Sequence, residues 1–504
     1  MAARMTAEEA PVPAPVIVWF RRDLRLADNP ALAAALARGG AVVPAVADAA
    51  ALALGPAAHA WRAHSLRALD AELRQRGSRL VVRAESAAAA ISALALAVGA
   101  RAVVCARDWT PTSLAEETAV ARALADAGVA LEVHEGQLLL APPAIETASG
   151  GPYRVFTPYH RAWMRMVDPA SLGALGAPEP GSAPGPAPES APARIAAPER
   201  WPDSAPLPEP DPAAPDVAAW WTPGEAGAAR RLAAFVREHA ATYAEGHDRA
   251  DLDATSRLSP HLAWGELSPR QVVAAVSAAG GAPALGSPAA SGPADAAAPF
   301  IRQLAWREFA YHVLHHFPEL PEKPFRPAFA QMPWADDPAG LEAWRAGRTG
   351  FPLVDAGMRE LATTGWMHNR ARLVAGSFLA KHLLLSWQLG ESWFAERLVD
   401  ADLALNAFNW QWVAGSGADA APYFRIFNPM LQGAKVDPDG AYVRRWIPEL
   451  AEMPARWIHR PHEAPEAVVS AAGVVLGETY PRPIVDHAEA RARALAAFAV
   501  VRAR

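Results

Sequence analysis

The chain has 504 residues, of which 52% are hydrophobic, and its formal net charge is -6. This length exceeds what one hydrophobic core usually supports, so two domains are expected. No apolar run is long enough to cross a membrane, and the acidic N-terminus lacks the apolar core of a signal peptide, so we expect a soluble, cytoplasmic protein. The single cysteine, Cys105, excludes a disulfide framework or a thiolate metal site built from this chain alone, and no metal site is predicted.

Short β-branched runs alternate with longer Ala- and Leu-rich stretches from Val16 to about His134. This rhythm is typical of parallel strands joined by crossover helices. It predicts a doubly wound α/β domain over residues 1–140. The first run leads into Arg21-Arg22-Asp23 instead of G-x-G-x-x-G, so a dinucleotide is not expected to bind there in Rossmann fashion.

A stretch rich in Pro, Ala, Gly and Ser follows, most clearly from Asp168 to Pro215. Its apolar residues do not recur with the spacing of a helix or a strand. The stretch therefore predicts an irregular interdomain linker over residues 141–215. A second such stretch, from Gly280 to Pro299, predicts a surface loop between two helices.

The remainder of the chain has the periodicity of helices. In the segment ARLVAGSFLAKHLLLSWQLG, the apolar residues Leu379, Leu383, Leu384 and Trp387 fall on one helical face. Strand patterns disappear after Trp220. Residues 216–504 are therefore predicted to form an all-α domain.

Two features of the composition point to function. The chain contains 18 tryptophans, more than core filling usually requires. Basic side chains crowd the C-terminal third, where a local basic face can bind a nucleic-acid backbone even in a mildly acidic molecule. These side chains are Arg370, Arg372, Lys381, Arg425, Lys435, Arg444, Arg445, Arg456 and Arg460. On charge alone, an ordinary solvated surface is the preferred interpretation.

The segment Thr255-Ser256-Arg257-Leu258-Ser259-Pro260 places hydroxyl groups, backbone donors and a guanidinium in one short turn ahead of a predicted helix. Pyrophosphate groups are often held in this way at a helix N-terminus. On its own the segment is better explained as a simple capping cluster than as a phosphate site.

Several further blocks are rich in side chains that are costly to bury without a purpose. They are Trp306-Arg307-Glu308-Phe309, Gly365-Trp366-Met367-His368-Asn369-Arg370, Asp400-Ala401-Asp402, Trp410-Gln411-Trp412 and Tyr423-Phe424-Arg425-Ile426-Phe427-Asn428-Pro429. Together with the N-terminal VIVWFRRDLRL, and in this order, they resemble the photolyase and cryptochrome family, and most closely its class I cyclobutane-dimer photolyases. The resemblance extends from Val16 almost to Pro481 apart from the two Pro-rich stretches.

The resemblance implies that the helical domain binds FAD in a U shape. The positions that match the family's flavin contacts are Tyr243, Thr255, Ser256, Arg257, Leu258, Ser259, Arg307, Arg372, Asp400, Asp402 and Asn406. In this scheme the hydroxyl groups and Arg307 serve the phosphates, and Asp400 pairs with Arg372 beside the isoalloxazine. Asn406 matches the residue that faces flavin N5, where plant-type cryptochromes usually carry Asp, so this residue favours repair.

The resemblance also implies a photoreduction chain. Trp334, Trp387 and Trp410 match the three tryptophans that pass an electron inward to the flavin. Spacing in the sequence does not show whether these indoles are in contact.

The implied partner is UV-damaged DNA, bound by a monomer that extrudes the lesion into a pocket with aromatic walls. Trp306 and Trp412 match the two stacking tryptophans of that pocket. The other positions that match DNA or lesion contacts are His247, Gln303, Asn369, Arg370 and Gln432.

Two pocket positions depart from the usual cyclobutane-dimer pattern. Gln303 stands where Glu is usual, and Leu373 stands where Met is usual. Gln also occurs there in (6-4) photolyases, but those enzymes carry histidines where this chain has Asn369 and Leu373. Cyclobutane pyrimidine dimers are therefore the predicted substrate, ahead of (6-4) lesions. A photoreceptor without repair activity is a further alternative, and a nicotinamide-dependent flavoprotein is disfavoured because no nicotinamide fingerprint is present.

A second, antenna chromophore is also implied. Thr110 occupies the place where folate-binding relatives carry Glu, and Glu322-Lys323 lies where some of them have a Cys-Lys pair. A deazaflavin or a flavin is therefore favoured over folate, and an empty antenna pocket is the remaining alternative.

Overall fold

The N-terminal domain contains a five-stranded parallel sheet with strand order β3-β2-β1-β4-β5. The structure is a computed structural model that describes residues 13–48, 54–167, 191–280, 298–420 and 424–502. The strands are β1 (Val16–Trp19), β2 (Val42–Ala47), β3 (Val81–Arg83), β4 (Ala102–Ala106) and β5 (Ala130–His134). The predicted doubly wound sheet is confirmed.

Helices cover both faces of this sheet, so the central strand β1 is buried along its whole length. The crossover helices are Pro30–Leu36, Pro56–Gln75, Ala87–Val98 and Pro111–Asp126. Thr110, the residue that departs from the folate-binding pattern, is the N-cap of the last of these and accepts a hydrogen bond from the Ser113 N–H at 3.4 Å.

The predicted linker starts too early. A 3-10 turn spans Pro142–Ala144, and a helix spans Phe156–Met166. The aromatic side chains of Phe156 and Trp163 on this helix are buried in the core of the helical domain. This part of the chain therefore belongs to the helical domain. The helical spacing of its apolar residues determines the structure here, in spite of the Pro and Gly residues nearby.

Residues 191–215, the later part of the predicted linker, run along the sheet domain. The Val42 N–H donates to the Ala196 carbonyl at 2.8 Å, and the Ala205 N–H donates to the Val82 carbonyl at 2.9 Å. Residues 168–190 of the predicted linker, and residues 281–297 of the second Pro-rich stretch, lie outside the described residues.

The second domain is all α, as predicted, with one isolated bridge between Leu476 and Tyr480 in the part of the chain that is described. Its α-helices are Val217–Trp220, Glu225–Glu238, Tyr243–Gly246, Ser259–Ala263, Pro269–Gly280, Ala298–His316, Pro338–Arg345, Pro352–Thr364, Asn369–Ser377, Trp387–Arg397, Leu403–Ala414, Pro429–Val436, Ala441–Trp446, Ala455–Ile458, Glu466–Ala471 and His487–Arg502. Short 3-10 turns span Ala240–Thr242, Pro327–Gln331, Pro448–Leu450 and Pro461–Glu463. Within the described ranges, no helix combines the length and the apolar character that crossing a membrane requires.

One predicted helix is broken in the structure. The face formed by Leu379, Leu383, Leu384 and Trp387 is interrupted by a π-helical turn over Phe378–His382. Leu384 then adopts a left-handed backbone with φ of 57°, and a new helix begins at Trp387 with Ser386 as its N-cap. A leucine rarely adopts this conformation, so the sequence pattern contained no signal for the break.

Candidate active site

The helix Leu403–Ala414 carries three of the predicted functional residues, Asn406, Trp410 and Trp412. Asp402 is its N-cap and accepts a hydrogen bond from the Leu405 N–H at 3.0 Å. The second oxygen of Asp402 accepts a 2.6 Å hydrogen bond from the Tyr311 hydroxyl, and the Arg22 guanidinium of the sheet domain approaches it at 3.9 Å. Asp402 therefore fixes the start of this helix and ties it to both domains.

Asp400 and Arg372 form the ion pair that was expected from the sequence. Arg372 Nη2 lies 2.8 Å and 3.1 Å from the two Asp400 oxygens, and Arg372 Nε donates to the Met367 carbonyl at 2.8 Å. Because the Asp400 side chain is almost fully buried, solvent screens this ion pair only weakly.

Asn406 is held by Glu391, a residue that sequence reasoning missed. The Asn406 amide nitrogen donates to the Glu391 backbone oxygen at 2.8 Å and to its Oε1 at 2.9 Å. Burial raises the pKa of Glu391, and the hydrogen bond from Asn406 opposes this shift. Glu391 lies on a different helix, Trp387–Arg397, so no local pattern linked the two residues.

The Thr255–Ser259 turn precedes the short helix Ser259–Ala263, as predicted. Arg257 adopts a left-handed backbone with φ of 50°, and its guanidinium lies 5.2 Å over the ring of Trp366. Trp366 in turn donates from its indole nitrogen to Ser259 Oγ at 3.1 Å. The strained backbone and the aromatic platform hold the Arg257 side chain in place.

His368 has two properties that fit the binding of a polar ligand such as FAD in this region. The Nε2 atom of His368 is buried and has no hydrogen-bond partner among the described residues. Burial, together with the charge of Arg257, lowers the pKa of His368 to about 4, so the imidazole is neutral at pH 7. A buried, unpaired ring nitrogen is expected where a bound group completes the hydrogen bonding.

Arg307 and Tyr243 occupy more ordinary environments. The Arg307 guanidinium donates to the carbonyl oxygens of Gln137 at 3.1 Å and Leu262 at 3.4 Å. Tyr243 is buried, and its ring stacks on His247 at 4.8 Å. The predicted cofactor role of each residue stays a prediction.

The three tryptophans of the predicted electron chain pack in the same hydrophobic core, with Trp387 and Trp410 buried and Trp334 at its edge. In the described part of the chain, Trp410 makes its ring contacts with Phe394 at 5.0 Å and Trp344 at 6.2 Å, and none with Trp387. Trp344 was not singled out in the sequence.

The two predicted stacking tryptophans are both half-buried. Trp306 stacks face to face on Phe156, with ring centroids 3.5 Å apart and an interplanar angle of 7°. Trp412 donates from its indole nitrogen to the Asp419 carbonyl at 3.1 Å. Phe156 therefore covers one face of Trp306, and it came from the segment that was predicted as linker. Gln303 and Asn369 are exposed.

A small open pocket brings two predicted DNA contacts, Arg370 and Gln432, together. Arg370 Nε donates to Asp248 Oδ1 at 2.6 Å, and His247 Nε2 lies 3.1 Å from the same oxygen. The pocket is lined by Asp248, Arg370, Leu373, Val374, Arg425, Phe427, Gln432 and Lys435. The lining carries three cationic side chains and one carboxylate, so it is suited to bind an anionic group such as a phosphate.

Comparison with known proteins agrees with this architecture. A family model described as the FAD binding domain of DNA photolyase matches residues 300–500, and one described as DNA photolyase matches residues 16–180. The deoxyribodipyrimidine photo-lyase of Agrobacterium fabrum is 47% identical over 97% of this chain and 98% of its own length.

Two solved structures are similar over almost the whole chain. A bacterial class III photolyase from Agrobacterium tumefaciens has a TM-score of 0.88 and 46% identity, covering 99% of each chain. A cryptochrome from Synechocystis has a TM-score of 0.81 and 29% identity, covering 97% of this chain and 99% of its own. The expected likeness to class I is not supported, because the more similar of these two structures is a class III photolyase. Fold, site geometry and relatives together show that the chain belongs to the photolyase and cryptochrome family.

Proposed function

We propose that this protein repairs cyclobutane pyrimidine dimers in DNA, using light to transfer an electron from reduced FAD to a lesion flipped out of the duplex. The observation that carries the proposal is the 47% identity to a deoxyribodipyrimidine photo-lyase over 97% of the chain. The half-buried indoles of Trp306 and Trp412, on neighbouring helices, supply the aromatic walls that such a lesion needs.

Bound FAD supplies the electron, and the chain supplies its surroundings. The ion pair of Arg372 with the buried Asp400 would hold the isoalloxazine, and Asn406, whose NH2 group is held by Glu391, would offer its amide to N5. The remaining contacts are assigned by position. They are Tyr243, Thr255, Ser256, Arg257, Leu258, Ser259, Arg307 and Asp402.

Trp334, Trp387 and Trp410 are proposed to deliver the electron that reduces the flavin before repair. DNA is proposed to contact the basic pocket through Arg370 and Gln432. His247, Gln303 and Asn369 are proposed as further contacts with the DNA or the lesion. The likeness to a class III photolyase suggests that the enzyme is of this class. A deazaflavin or flavin antenna is favoured over folate, because the folate-associated Glu is replaced by Thr110, which here caps a helix.

The main alternative is a photoreceptor without repair activity. It is supported by the likeness to the Synechocystis cryptochrome, but that structure is less similar than the class III photolyase. Repair of (6-4) lesions is also less favoured, because Asn369 and Leu373 stand where a proton-donating histidine is needed.

The proposal can be tested in cells. A photolyase-deficient bacterial strain that produces this protein is irradiated with UV and then kept either in blue light or in the dark. Repair activity predicts a gain in survival that appears only in the light. Equal survival in light and dark, with FAD-loaded protein present, would support the photoreceptor alternative.

A further inference from the structure

The π-helical turn Phe378–His382 buries a lysine. All five residues of the turn are buried, and Lys381 is only 4% exposed. A buried ammonium group is costly unless it is paired, and π-turns inside helices often mark functional positions. Burial, together with the charge of Arg425, lowers the pKa of Lys381 to about 7. Lys381 therefore requires a hydrogen-bond acceptor inside the protein.

Lys381 holds a backbone carbonyl of the segment 424–428. Its Nζ donates a hydrogen bond to the Arg425 oxygen and lies 4.5 Å from the ring centroid of Phe424. A second contact from the same helical region is weaker, with the Phe427 N–H donating to Ser377 Oγ at 3.5 Å. The segment is therefore attached to the interior by the lysine at Arg425 and by the stack of Phe424 on Phe498, and Lys381 is the side chain that holds the Arg425 backbone itself.

The same segment supplies side chains to the basic pocket. The Arg425 guanidinium lies 4.8 Å over the ring of Phe427, and both residues line the pocket together with Arg370, Gln432 and Lys435. The Arg425 carbonyl thus faces inward to Lys381, while its side chain contributes charge to the pocket. One residue links the buried turn to the DNA-facing surface.

We infer that Lys381 is a positioning residue, whose buried amino group fixes the Arg425 backbone and so holds the Arg425 guanidinium in place to bind a DNA phosphate. The inference rests on the proposed function, because it assigns the pocket to the DNA backbone. It predicts that Lys381 matters for DNA binding more than for the stability of the fold.

A substitution at Lys381 distinguishes a positioning role from a purely structural one, because the two roles predict different effects on DNA binding and on stability. In Lys381→Met an apolar side chain of similar length removes an amino group that is costly to bury, but it leaves the Arg425 carbonyl without this donor. Because these two effects on stability oppose each other, the variant should unfold at a urea concentration close to that of the wild type. Because Arg425 loses its anchor, the variant should bind an undamaged duplex about fivefold more weakly.

The experiment measures binding of a short undamaged duplex by FAD-loaded protein at several salt concentrations, alongside urea unfolding. Loss of one ordered phosphate contact lowers the slope of log affinity against log salt by about 0.9. Lys323→Met is the matched control, because Lys323 is exposed, pairs with Glu319 at 2.6 Å and does not line the pocket. A double variant with Arg425→Ala should bind no more weakly than Arg425→Ala alone.

Unchanged DNA affinity in Lys381→Met, or a loss matched by Lys323→Met, would overturn the inference. Additive losses in the double variant would do the same. If Lys381→Met and Lys381→Leu both fail to fold, the lysine is required by the fold and the inference is wrong. A wild-type protein that binds no DNA would instead contradict the proposed function, which separates the two failures.

Discussion

The amide nitrogen of Asn406 donates to Glu391 twice, at 2.8 Å to the backbone oxygen and at 2.9 Å to Oε1. Since both bonds use the NH2 group, the carbonyl oxygen is the part of the amide that can accept a hydrogen bond from a protonated flavin N5. Glu391 therefore determines which end of Asn406 faces the cofactor in the proposed site.

Replacing this amide by a carboxyl group should destabilise reduced FAD. In Asn406→Asp two carboxyl groups lie close together and disfavour each other's charged forms, which adds pH-dependent negative charge near the flavin. We expect reoxidation in air to be faster than in the wild type by on the order of tenfold at pH 8, and less so at pH 6. Flavin absorbance after photoreduction provides the measurement.

Asn409→Asp is the control for this change. Asn409 is exposed on the same helix, and within the described ranges its side chain donates to the Leu405 carbonyl alone, so its variant should reoxidise at the wild-type rate. Equal reoxidation rates in Asn406→Asp and the wild type would show that the Asn406 side chain does not face N5.

Photoreduction should depend on Trp410. We expect Trp410→Phe to slow photoreduction of oxidised FAD strongly, because it removes one of the three indoles of the proposed electron chain, while chemically reduced protein still repairs dimers. Trp344→Phe is a demanding control, since Trp344 is fully buried and touches Trp410 at 6.2 Å but lies outside the proposed chain. Normal photoreduction in the Trp410 variant, or its loss in the Trp344 variant, would place the electron route elsewhere.

Periodicity was sufficient to predict the parallel sheet and the helical domain, because burial on both faces of a sheet and on one face of a helix leaves a direct pattern. It did not predict the break at Leu384, since a left-handed leucine is maintained by tertiary packing and not by local preference. The helix Phe156–Met166 was missed because nearby Pro and Gly residues suggested a linker, although its aromatic residues pack in the core.

In the candidate site, too, some contacts could be predicted from the sequence and others could not. The ion pair between Asp400 and Arg372 was expected from the family resemblance and is present. Glu391 and Phe156 contact Asn406 and Trp306, respectively, from distant parts of the chain. Such partners leave no spacing in the sequence, so only the folded structure shows them.

Stability should depend on the protonation of Glu308. Burial raises the pKa of this carboxyl group to about 7, although Trp163 Nε1 donates a 2.7 Å hydrogen bond to it. In the unfolded chain the group titrates near 4.5, so between these values the folded state binds more protons than the unfolded state. The stabilisation is complete below about pH 4.5 and is lost as the pH rises through about 7.

Urea unfolding at pH 5 and pH 8 tests this linkage. Glu308→Gln cannot titrate, so the difference in unfolding free energy between the two pH values should shrink by up to about 3 kcal/mol. Glu319→Gln, at an exposed glutamate, should leave the difference unchanged. A pH dependence identical in Glu308→Gln and the wild type would show that this carboxyl group has an ordinary pKa.

Lesion recognition should depend on Trp306. A stacking platform contributes about 1 to 3 kcal/mol per base, so Trp306→Ala should weaken binding to dimer-containing DNA by on the order of tenfold or more. Undamaged duplex is held mainly through phosphates and should bind almost as before. Competition between irradiated and unirradiated oligonucleotides at one salt concentration checks this. An equal loss for both would make Trp306 a core residue only, packed on Phe156.

The central claim is that the protein repairs cyclobutane dimers with light. The most direct test incubates the reduced, FAD-loaded protein with two defined oligonucleotides, one with a cyclobutane thymine dimer and one with a (6-4) photoproduct, in blue light and in the dark. We predict that intact thymines are restored only in the cyclobutane substrate and only in the light. Restoration of neither substrate, or of the (6-4) photoproduct alone, would contradict the proposed function.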